Sequence, residues 1–148
     1  MPVVEKQLLG TIATLGSTEL NSLANNALVA LPAFSNVIGG AGDGYLLAEV
    51  ELVVTFTVAP GANTGVPVWL LAAPDGTNYE DGSASITPAR NPELVFPVRA
   101  VTTAQRITRR ILLPQGLMTP LLKNDGTGQA FAATGNTLKI RPATPQGV

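Results

Sequence analysis

The chain has 148 residues, 45% hydrophobic and 13% charged, with a net charge of −1 and neither histidine nor cysteine. These absences exclude Ser/His/Asp and Cys/His catalysis, His- or Cys-based metal centres and disulfides. A pI of about 5.3 provides no field for nucleic acid or anionic lipid, and a mean hydropathy of +0.27 points to strands buried on one face or to apolar surface kept for a partner.

Residues 1–25 carry Val3, Val4, Leu8, Leu9, Ile12 and Leu15 among polar residues without a regular period. They read either as an edge strand plus loop or as an arm that docks on a neighbouring subunit, since termini order only when tied down. The opening Met1-Pro-Val-Val-Glu-Lys lacks the basic and apolar regions of a signal peptide. Zero cysteines fit synthesis in a reducing cytoplasm. Residues 17–26 accommodate one short helical turn with Ser17 or Thr18 as its cap, and residues 26–32 a short strand.

Residues 39–44 (Gly-Gly-Ala-Gly-Asp-Gly) form a turn. No Lys-Ser/Thr follows and a strand does, so this is not a phosphate-binding loop. Over residues 45–58 every even position is apolar: Leu46, Ala48, Val50, Leu52, Val54, Phe56 and Val58. The odd positions include Glu49, Glu51, Thr55 and Thr57. Period-two alternation over this span predicts a half-buried antiparallel strand. Glu49 and Glu51 also interrupt the longest apolar run, so no membrane-spanning helix is expected.

Residues 66–73, with the single Trp69, read as a more fully buried strand, followed by a polar loop at 74–82. Residues 94–101 form a strand whose Pro97 suggests a sheet edge or bulge. Strands at 105–113 and 117–123, a turn at 124–128, a strand at 129–133 and a last strand at 137–141 complete the domain. Residues 143–148 are expected to be a loose tail. About eight short strands between Gly/Pro turns predict an all-β fold: an antiparallel β-sandwich at 26–142, preceded by the N-terminal segment. Long loops favour Greek-key connections and hence a jelly roll.

Chemistry is sparse. Asp75, Asn78, Glu80 and Asp81 offer oxygen ligands in one loop, but the spacing is not that of a helix–loop–helix Ca²⁺ site, and an Asx-stabilised turn explains them. Tyr79 at the same tip either packs on its own strand or anchors a partner. Glu49 and Glu51, two apart on a strand, point the same way at about 7 Å, which a glycosidase pair requires and a solvated strand face also explains. Four of the six arginines, Arg99, Arg106, Arg109 and Arg110, fall within twelve residues. Without supporting lysines and aromatics they suit a solvated face or a patch for an acidic protein surface rather than nucleic acid. No cofactor and no metal are expected.

Several phrases carry a family resemblance: Val66-Pro-Val-Trp-Leu-Leu-Ala-Ala-Pro-Asp-Gly-Thr-Asn-Tyr-Glu-Asp-Gly82, Phe96-Pro-Val-Arg99, Leu112-Leu-Pro-Gln-Gly116, Leu122-Lys-Asn-Asp-Gly-Thr-Gly-Gln129 and Gly135-Asn-Thr-Leu-Lys-Ile140. In these phrases the chain resembles small virion proteins of tailed bacteriophages, over about two-thirds of its length. The resemblance implies a jelly-roll sandwich acting as a capsid decoration (cement) protein. Such a protein is assembled in the host cytoplasm, located on the capsid surface, and bound as a homotrimer to the major capsid protein. It transfers no functional residue to a position here. On that reading the partner-binding residues are the apolar side chains of the N-terminal segment, Tyr79 and the four clustered arginines. The alternative is a carbohydrate- or receptor-binding β-sandwich of a phage tail or adhesin.

Overall fold

The computed structural model describes residues 6–36 and 44–146. Val3 and Val4 lie outside them, as does most of the glycine turn. Ten strand segments form two antiparallel sheets. The first holds β1 (Lys6–Leu9), β2 (Ala13–Gly16), β5 (Leu47–Val54), β8 (Gln105–Leu112) and β10 (Thr137–Gln146). The second holds β3 (Leu28–Ala30), β4 (Phe34–Asn36), β6 (Thr64–Ala73), β7 (Leu94–Val98) and β9 (Gly116–Lys123).

β1 and β2 lie end to end along one side of β10, and β3 and β4 do the same along β9. Each pair therefore fills one strand position, and the sheets read β1/β2-β10-β5-β8 and β3/β4-β9-β6-β7. With broken strands counted once, eight positions remain, and every connection except β6 to β7 crosses between the sheets. That is the double Greek-key path of a jelly roll.

Prolines explain both breaks. Pro142 in β10 and Pro120 in β9 each lack an N–H on the side facing the broken strand. Their carbonyls still accept there, Pro142 from Gly10 at 2.7 Å and Pro120 from Leu31 at 2.8 Å. The outer strand makes that one bond, loses the next and restarts beyond. Pro97 lies in β7, an edge strand, as its chemistry demands.

The even positions of β5 face inward as the alternation requires: Ala48, Val50, Leu52 and Val54 are buried, with Phe56 just beyond. They meet Val66, Val68 and Leu70 of β6, Phe96 of β7, Met118 and Leu122 of β9, and Leu138 and Ile140 of β10. The alternation fails at its ends, where Leu46 and Val58 are exposed. A second, smaller cluster lies on the outer side of the second sheet: Trp69, Leu71 and Leu121, with Leu28 against them.

Three expectations change. Leu15, grouped with the partner-binding side chains, is buried in the core, because β2 pairs with β10 and turns it inward. Residues 129–133 form no strand. Phe131 instead plugs the core edge-to-face against Phe56, ring centroids 5.4 Å apart, while its N–H donates to Leu23 O. Residues 143–146 continue β10 past Pro142 and pair with β1, Leu9 opposite Ala143 and Lys6 opposite Gln146. The N-terminal segment thus joins the sheet from Lys6 onward as an edge. The helical turn at Thr18–Leu20 forms with Ser17 at the cap position, but the Ser17 side chain makes no cap bond; its backbone N–H donates to the Glu19 carboxylate at 3.0 Å.

Candidate functional site

The two outer faces of the sandwich differ. Residues 74–93 fold back over the second sheet. The Trp69 indole N–H donates to Arg90 O at 3.0 Å, and Gly82 packs against Leu71. β7 is too short to pair with the far half of β6, and side chains replace it there. Glu93 Oε2 accepts the Leu70 N–H at 2.8 Å, Arg90 Nη2 donates to Leu70 O at 3.0 Å, and Glu80 Oε2 accepts the Ala72 N–H at 3.2 Å. Arg90 also bridges Glu80 at 2.7 Å and Glu93. Its hydrogen bond holds the Glu80 carboxyl below the usual range, against a smaller opposing effect of burial. Burial pulls the Arg90 guanidinium down, but the two carboxylates outweigh it and the net direction is upward.

At the tip of this loop Asp75 accepts the N–H groups of Asn78 and Thr77 at 2.7 and 2.9 Å, and the Asn78 side-chain amide at 2.7 Å. These bonds, those from Asn78 foremost, bring its pKa down to about 2. Both carboxylate oxygens are thus engaged in an Asx turn. Among the described residues no three acidic side chains gather to hold a metal ion. Tyr79 is 38% exposed beside this turn, in the loop that folds over the second sheet, whereas the arginine-bearing strand β8 belongs to the first.

Among the described residues no such roof covers the outer face of the first sheet. Register places its outward side chains in rows across β1, β10, β5 and β8. Leu9, Ala143, Leu47 and Leu112 form one row, with Leu9 48% and Leu112 71% exposed. The next row is Arg141, Glu49 and Arg110, and the one after it Lys139, Glu51 and Thr108. Arg110 Nη2 lies 2.8 Å from Glu49 Oε1, and Arg106 Nη1 lies 2.8 Å from Glu51 Oε1. Ile12, 57% exposed, borders an open hollow with Glu51, Lys139 and Arg141. The face thus combines an apolar row with four cations and two carboxylates.

Glu49 and Glu51 share this face, as their spacing required. Each is bonded to a guanidinium in the open, whereas a glycosidase acid needs a carboxyl kept protonated by an apolar pocket. The four clustered arginines part company around β8. Arg106 and Arg110 lie on the outer face. Arg109 turns to the other side and donates from Nε to Val95 O at 3.2 Å. Arg99 follows β7, its backbone N–H and C=O both held by the Gln105 side chain at 2.7 and 2.9 Å. Of the N-terminal candidates, Leu9 and Ile12 are exposed on or beside this face and Leu8 is half-buried.

Sequence reasoning did not single out Leu47 and Leu112. A signal for the first existed: Leu47 is an apolar residue on the outward, odd phase of the alternation over 45–58. Among the described residues Arg99, Arg109, Lys139 and Arg141 make no ion pair; Lys139 and Arg141 lie on the outer face of the first sheet, Arg109 on β8 and Arg99 just beyond β7. Among the described residues no helix is long and apolar enough to cross a membrane. No protein-family model matches the chain, and no curated protein matches it in sequence.

Proposed function

We propose that this chain is a non-enzymatic structural protein of a tailed-phage virion. It acts as a decoration protein that binds the major capsid protein on the outer capsid surface, as a homotrimer, and stabilises contacts between capsomers. The observation that carries this reading is the unroofed face of the first sheet. Leu9, Leu47 and Leu112 stand in one solvent-facing row beside Arg110 and Arg141, while the opposite sheet is covered by the protein's own loop. Contiguous exposed apolar side chains rimmed by polar ones mark interaction surfaces. The phrase-level resemblance to phage virion proteins and the scarcity of catalytic side chains support the same reading.

Clamping works by repetition. An interface of about 1,600 Å² in total at each joint suffices for stable association, and many joints add avidity. The carbohydrate-binding alternative needs exposed aromatic platforms, and of the seven Phe, Trp and Tyr residues only Tyr79 exceeds one-third exposure. The test is purification of particles with and without the protein. Decorated capsids should survive heat and chelator better, and the protein's mass in solution should be that of a trimer. Bare particles of equal stability would overturn the cementing role.

A further inference from the structure

We infer that β8 is a docking edge, whose outer side accepts an extended acidic segment of a partner protein as an added strand. The backbone phase leads to this. Leu113 N–H donates to Leu46 O at 2.9 Å, and the register then runs unbroken from Leu47 opposite Leu112 to Val54 opposite Gln105. Facing residues in an antiparallel pair alternate between exchanging both backbone bonds and exchanging none. Residues 105, 107, 109 and 111 therefore bond to β5. Arg106, Thr108, Arg110 and Leu112 turn their N–H and C=O groups outward, where β8 ends the sheet. All four residues are exposed.

The other edges are closed to such pairing. β1/β2 and β3/β4 are each interrupted opposite a proline. On β7, Pro97 has no N–H to offer on its outward phase and the Val95 carbonyl is taken by Arg109. β8 alone among the described strands presents an unbroken row of outward donors and acceptors.

Charge decides the occupant. A long edge invites self-pairing, and charged side chains are the usual defence. A twofold pairing centred on Thr108 would set Arg106 against Arg110 of the second copy, so another β8 is disfavoured. A strand bearing carboxylates meets the opposite situation. Its outer side chains approach Arg106 and Arg110, and its inner ones approach Arg109, which makes no ion pair among the described residues. Main-chain bonds then supply affinity and the arginines supply selectivity.

The probe is a synthetic heptapeptide of alternating glutamate and valine with blocked ends, titrated into the whole protein, with a lysine-for-glutamate counterpart as control. Amide hydrogen exchange should slow at Arg106, Thr108, Arg110 and Leu112 and stay unchanged at Ile107, Arg109 and Ile111, which already bond to β5. The acidic peptide should bind at least about tenfold more tightly than the basic one. Thr108→Pro removes an outward donor without touching the β5 ladder and should weaken binding about tenfold, while Thr108→Ala should not. The proposal is overturned by no protection of the four amides at millimolar peptide, by equal affinity for the basic peptide, or by undiminished binding in a folded Thr108→Pro variant. The wild-type exchange pattern decides the matter even if that variant does not fold. The inference goes beyond the capsid reading, since the peptide result is independent of any particle.

Discussion

Asn124 offers the sharpest test of how the loops are held. It is fully buried just beyond β9. Its Nδ2 donates to Leu23 O at 3.0 Å and Gln129 O at 2.7 Å, and its Oδ1 accepts from Thr127 Oγ1 at 2.6 Å. Asn124→Ala removes all three bonds. Neither carbonyl is orphaned, because Leu23 O keeps the Phe131 N–H and the Thr127 hydroxyl, released from Asn124 Oδ1, turns its one proton to Gln129 O. Three bonds are lost and one is regained at Gln129 O, so the net cost is about 2 kcal/mol at about 1 kcal/mol each, without an added desolvation penalty. For a chain of this size that corresponds to a fall in Tm of about 4–8 °C. Urea unfolding followed by Trp69 fluorescence measures it, since this is the only tryptophan and it is 4% exposed. A loss below about 1 kcal/mol would refute the reasoning and show that water replaces the side chain at little cost.

Arg90→Ala should lift the loop from the second sheet, shifting Trp69 emission to the red at a cost of about 1–2 kcal/mol; the ion pairs are discounted because their partners are partly exposed. Unchanged emission would show that the Arg90 carbonyl, the Glu80 and Glu93 bonds and the Gly82 packing hold the loop without the guanidinium. Asp75 is depressed to about 2 from an ordinary value of 3.8, so its contribution is complete above pH 3.8 and lost as pH falls through 2. Carboxyl ¹³C NMR should report that value, and a midpoint near 3.8 would contradict the Asx turn. Leu112→Asp should change stability by no more than about 0.5 kcal/mol, because the side chain is largely in water, yet abolish the capsid binding proposed above. Retained capsid binding would remove the apolar row from the interface.

Much of the architecture was legible because period-two patterning and turn residues are local. The alternation over 45–58 names the inward side chains of β5 directly, and the turn at 124–128 rests on Gly126 and Gly128, both at positive φ. Phe131 misled because an apolar residue between turns reads the same whether it joins a ladder or plugs a gap. Pro142 misled for a related reason. A proline ends a central strand only if its missing N–H was needed, and here it faces the break between β1 and β2. The candidate surface was legible residue by residue, in Arg106, Arg110, Leu9 and Ile12, but not as a surface.

By itself the sequence determined the class of fold, the phase of its longest strand and the absence of histidine and cysteine chemistry, all of which follow from residue type and short spacing. Only the tertiary structure decided which face and which edge the described residues leave open. Both depend on partners far apart in the chain: β1 beside the end of β10, a loop folded onto Trp69, and β8 left without a neighbour on one side. Alternation states which side of a strand is apolar. It carries no information about what lies beside that strand, so Leu15 and Leu112 look alike in sequence and end on opposite sides of the same sheet.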